Sequence, residues 1–180
     1  MKHQTFSTAQ METALRTVLT APGLAHPRYA VAVPVVFGPS GAELLIEVRA
    51  AGIPQAGDPC FPGGTIEPGE TPAEAAAREL AEELGLHVDP ADFLGRLPTV
   101  HTPLGSKTDL FVCTVPPEEA SAACPAPAEV SALLRVPLTF FLSRPGAASY
   151  RVEGHTIWGM TAGAISHFCD AWGRASTLLP

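Results

Sequence analysis

Residues 64–86 read GTIEPGETPAEAAARELAEELGL. Thr71 stands three positions before Glu74, the spacing of a capping box, and Pro72 takes the first helical position. Gly85 supplies a left-handed stop, so the sequence itself bounds a helix over 72–84. Ala73, Ala76, Ala77, Leu80 and Leu84 recur at helical spacing and predict its buried stripe. Glu79, Glu82 and Glu83 are related by i, i+3 and i+4 and project from another face. Three like charges so placed repel one another. A cation among them relieves that cost, and oxygen donors at this density suit Mg²⁺ or Mn²⁺. A solvated acidic face is the plain alternative. Arg78 can reach Glu74 or Glu82 along the helix and Glu70 from the preceding loop.

The same stretch carries a specific spacing. Gly64 is followed after five residues by Glu70, then after seven by Arg78-Glu79-Leu80, with Glu82-Glu83 and Gly85-Leu86 beyond. This pattern resembles the Nudix box at each of its fixed positions. The resemblance implies a hydrolase of nucleoside diphosphates linked to another group, built as an α/β/α sandwich with a mixed β-sheet. The catalytic candidates are Glu79, Glu82 and Glu83. Glu79 and Glu83 are the first choices as ligands of Mg²⁺ or Mn²⁺, and Glu82 is a further ligand or the base. The backbone carbonyl near Gly64 completes the shell, while Glu70 and Arg78 form an ion pair that braces loop against helix.

Upstream, the chain is similar to a narrower group of that family, the coenzyme A pyrophosphatases. Leu44-Leu45, Arg49, Gln55-Ala56-Gly57 and Phe61-Pro62-Gly63-Gly64 carry this likeness, as does Ile157-Trp158-Gly159-Met160-Thr161-Ala162 near the end. Two departures stand out: Gln55 replaces an expected His, and the loop is one residue short. The implied substrate is coenzyme A or a derivative, split to 3′,5′-ADP and 4′-phosphopantetheine. Arg49, Phe61 and Gly63 are the candidates for substrate contact. Another nucleoside diphosphate derivative as substrate, or a non-catalytic nucleotide sensor, are the alternatives.

The remaining sequence reads as one domain over 1–180, with 46% apolar residues to build its core. Net charge is −7 with 11 scattered Lys and Arg, which argues against a nucleic-acid footprint or a polybasic membrane contact. No apolar run approaches a membrane span, and Cys60, Cys113, Cys124 and Cys169 form no CxxC pair. A cytoplasmic monomer or homodimer is expected, acting on a small nucleotide-type substrate. Cys60 reads as a small apolar filler.

A helix is predicted over 8–20, and strands over 29–37 and 43–49 form a hairpin. Pro34 suggests a bulge or an edge position in the first of them. Further strands are predicted over 92–100, 107–115 and 150–157, with His101 and Lys107 read either as a solvent-exposed loop pair or as phosphate contacts. Residues 116–128 read as a mobile surface loop, 129–142 as an apolar segment turning helical, and 158–171 as the closing helix. Trp158 and Trp172 read as core anchors.

Overall fold

The computed structural model describes residues 6–100, 105 and 107–180. Its centre is β1 (Tyr29–Gly38), an apolar run whose alternate side chains enter two different cores. Val31, Val33 and Val35 join Leu15, Ile46, Phe141 and Phe168 on one face of the sheet. Ala30, Ala32 and Val36 join Leu45, Leu80, Leu84 and Phe111 on the other. Burial on both faces explains why the strand lacks polar alternation.

β1 pairs in parallel with β6 (Thr108–Val115) and antiparallel with β2 (Gly41–Arg49). Its first residues pair instead with β4 (Gly63–Thr65). Glu47 and Val48 of β2 pair with β3 (Pro59–Cys60), and residues 43–49 pair on the other side with β7 (Val130–Pro137). With β5 (Gly95–Leu97) outside β6, the described residues form a mixed seven-stranded sheet. Pro34 therefore sits at neither an edge nor a bulge. It lies in the central strand, between the residues that pair with β4 and those that pair with β2, where its missing N–H leaves no ladder bond unmade.

One face is covered by α1 (Thr8–Val18), α4 (Leu138–Leu142) and α5 (Gly159–Ser176), and the other by α2 (Pro72–Leu84). This is an α/β/α sandwich. Helix α1 begins on a Ser7–Gln10 capping box and stops at Val18, before the expected 20, because Thr20 bridges to Arg96.

Five further expectations are corrected. Residues 92–100 hold a short 3₁₀ turn ending at Asp92 and only the three-residue strand β5. The 116–128 segment contains α3 (Pro117–Ser121) and is tied down, since Cys124 N–H donates to the Leu84 carbonyl at 2.9 Å and Ala126 N–H to the Glu83 carbonyl at 2.8 Å. Those bonds satisfy carbonyls that the end of α2 would otherwise leave open. Residues 130–137 form a strand because β2 offers them a partner. The strand expected over 150–157 is a hairpin, β8 (Ser149–Val152) and β9 (His155–Trp158), turning at Glu153 and Gly154 with φ of 49° and 86°. Trp158 is 51% exposed and anchors no core, whereas Trp172 stacks on Phe37 with ring centroids 5.9 Å apart.

Candidate active site

Helix α2 starts as its sequence predicts. Thr71 Oγ1 accepts from Glu74 N–H at 3.3 Å, and Glu74 Oε2 accepts from Thr71 N–H at 2.7 Å. It ends at Gly85, in the left-handed region at φ 68°, whose N–H donates to Ala81. Ala75, Ala76, Ala77, Leu80 and Leu84 are buried, with Ala73 only partly so. The alanines hold the helix close to β1 and β4, which fixes where its carboxylates fall.

Arg78 is the cation among those carboxylates. Its Nε donates to Glu70 Oε1, and its Nη1 donates to Glu79 Oε1 and Glu82 Oε2, each at 2.9 Å. Its Nη2 reaches the Thr65 carbonyl at 3.0 Å and Glu70 Oε2 at 3.2 Å, so the guanidinium ties the 65–70 loop to the helix. The bond from Arg78 holds the Glu70 carboxyl below its ordinary range.

Glu83 is buried, and its Oε2 accepts from Gly63 N–H at 2.9 Å. Burial, reinforced by the charge of Glu47, pushes its carboxyl up to about 8. Glu79 is raised as well, chiefly by burial. Glu82 projects outward with its side chain 59% exposed. Gly64 packs against the Glu79 carboxylate so closely that a Cβ there would overlap it, with the carboxyl carbon at 2.6 Å. Any other residue at 64 would displace this carboxylate.

Two acidic residues outside the helix share this region. Glu47 on β2 is 1% exposed, and burial raises its carboxyl to about 7. Glu129, just before β7, acts electrostatically on Glu47, Glu79 and Glu83. Sequence reasoning missed both, because they reach the site through strand pairing and not through spacing. The alternation of β2 was the available signal: a Glu between Ile46 and Val48, on the same face as Leu45, must be buried. Cys60 is less a filler than a partner, since its thiol donates to Glu47 Oε1 at 3.2 Å.

Among the described residues, no three His, Cys, Asp or Glu side chains are already gathered as a metal cage. Glu79 and Glu82 are turned to Arg78 and Glu83 to Gly63. The donor set nonetheless fits a hard divalent cation: every donor is an oxygen, several carboxylates are buried near like charges, and Glu47 Oε2 is buried with no hydrogen-bond partner.

Beside these carboxylates opens a cleft of about 610 Å³, lined by Gly63, Gly64, Arg28, Lys107, Gln55 and Met160, with Tyr29, Val31, Gly105 and Thr108. Lys107 lines this cleft, whereas His101 lies outside the described residues. Of the other candidates, Gly63 lines the cleft, Phe61 is buried in the core facing α1 and α5, and Arg49 donates from Nε to the Pro54 carbonyl at 2.8 Å, away from the cleft lining. No described helix is long and apolar enough to cross a membrane.

The NUDIX domain model matches residues 26–151. An uncharacterized Nudix hydrolase of Escherichia coli strain K12, NudL, is 32% identical over 167 residues, spanning 84% of this chain and 85% of that protein. The fold is similar to the crystal structure of a MutT protein from Methanosarcina mazei Go1, with TM-score 0.54 and 21% identity over 87% of this chain and 98% of that one. RenU, a Nudix hydrolase from M. smegmatis, has TM-score 0.53 at 18% identity, covering 86% of this chain and 88% of that one. With the domain match, the NudL likeness and the box residues folded into one loop–helix unit, the chain belongs to the Nudix family and is a Nudix pyrophosphohydrolase.

Proposed function

We propose that this protein cleaves the pyrophosphate of coenzyme A or its derivatives, yielding 3′,5′-ADP and 4′-phosphopantetheine or its acyl form. One observation carries the choice. The two separate stretches that resemble the coenzyme A group, 55–64 and 157–162, meet on the same cleft, through Gln55, Gly63 and Gly64 on one side and Met160 on the other.

In this reading Glu79, Glu83 and Glu82, with the carbonyl of Gly64, hold the divalent ion. Bound Mg²⁺ or Mn²⁺ would neutralise phosphate oxygens and acidify a bound water. The chain supplies the rest. Arg28 and Lys107 face the cleft as cations for the pyrophosphate oxygens, and Tyr29, Val31 and Met160 offer apolar surface to the pantetheine arm. Glu82, the exposed carboxylate, would serve as a further ligand or take the water's proton, one oxygen staying bonded to Arg78 Nη1. Arg78 holds Glu79 and Glu82 in place through Nη1.

A second reading keeps the chemistry and changes the substrate to another nucleoside diphosphate derivative. Gln55, at the position of the expected His and on the cleft itself, favours it. Turnover of coenzyme A, ADP-ribose, NADH and dinucleoside polyphosphates, compared at equal concentration with products identified by mass, separates the two. Coenzyme A should have the highest kcat/KM. Preference for any of the others establishes the second reading.

A further inference from the structure

Glu47 lies outside the box, yet it shares the region of the box carboxylates. Along β2, Leu44, Ile46 and Val48 enter the core facing α1 and α5, while Leu45 packs on the face under α2. Strand alternation puts Glu47 on the same face as Leu45, the face covered by the helix that carries Glu79 and Glu83. Its charge acts on Glu83, and that of Glu79 acts on it in return. The side chain is 1% exposed, with Oε1 satisfied by the Cys60 thiol and Oε2 without a partner. Arg49 is a nearby cation but leaves that oxygen unbonded, having given its Nε to Pro54.

A buried carboxylate with one bonded and one orphaned oxygen is costly as pure scaffolding. Accepting from Cys60 needs only one acceptor, which an amide or hydroxyl would supply without a buried charge. We infer that Glu47 is a further carboxylate of the metal site, reaching the divalent ion from the sheet side, directly or through a bound water, opposite the ligands of α2. This rests on the metal-site reading given above. It makes the site a clamp between strand and helix, so that cation binding ties β2 to α2.

Mn²⁺ binding to the substrate-free protein tests it, read by the electron paramagnetic resonance of free Mn²⁺ and by the Mn²⁺-induced rise in Tm. Glu47→Gln retains the acceptor for Cys60 and should weaken Mn²⁺ binding by about tenfold or more, the scale seen for lost groups around a metal. Glu47→Thr, a strand-favouring replacement, serves the same comparison if the Gln variant does not fold. Unchanged Mn²⁺ affinity in these variants, whether or not Tm falls, overturns the inference if Glu83→Gln weakens binding. If Glu83→Gln also binds as the wild type does, the metal-site reading falls with it.

Discussion

Glu83 shows how little a charge count says about a single side chain. Three glutamates share the polar side of α2, yet Glu82 is mostly exposed, Glu79 is held by Arg78, and Glu83 is buried against the Gly63 N–H. The raised carboxyls of Glu83 and Glu47 have a consequence for pH. Their folded-state values, about 8 and about 7, lie above the ordinary 4.5, so between those limits the folded chain binds more protons than the unfolded one. Stability of the metal-free protein should therefore fall as pH rises from 5 to 8. Thermal melts in chelator check this, and Glu83→Gln should flatten the slope. A profile that rises over this range would contradict the burial of these groups. Arg78→Gln removes the donor shared by Glu70, Glu79 and Glu82 and should cost roughly 1–3 kcal/mol of stability, measured by denaturant unfolding.

At the scale of the element, α2 was legible to its ends because every signal is local. Thr71, Pro72, Glu74 and Gly85 each act within a few residues, and each acts as its position implies. Gly85→Ala forces a side chain into the left-handed region and should lower stability by about 1 kcal/mol, seen as a drop in Tm with the fold retained. What the sequence hid depends on partners far along the chain. Residues 130–137 become a strand only because β2 has a free side, and the 116–128 segment is ordered because α2 leaves carbonyls for Cys124 and Ala126 to satisfy. The burial of Glu47 could be read from strand alternation, but its place beside Glu83 could not, since nothing near it in sequence announces that residue. Trp158 was misplaced because its size suggests burial, whereas its position at the junction of β9 and α5 leaves half of it in solvent.

For the molecule as a whole, the sheet serves as a frame that brings separate segments to one cleft. Arg28 and Tyr29 come from the start of β1, Gly63 and Gly64 from β4, Lys107 from the residue before β6, and Met160 from the first turn of α5. Lys107→Ala should raise KM for a pyrophosphate substrate about tenfold with a smaller change in kcat, because it removes attraction for the phosphate while leaving the carboxylates in place. The architecture and helix α2 were readable from the box, but the cleft was not, since its walls come from segments spread along the chain from Arg28 to Met160. The most direct test of the whole account is turnover of coenzyme A with Mg²⁺ or Mn²⁺ by the wild type and by Glu83→Gln, with products weighed by mass spectrometry. The account predicts 3′,5′-ADP and 4′-phosphopantetheine from the wild type, and a loss of about 100-fold or more in the variant with its circular dichroism unchanged. Turnover of the variant at the wild-type rate would contradict it.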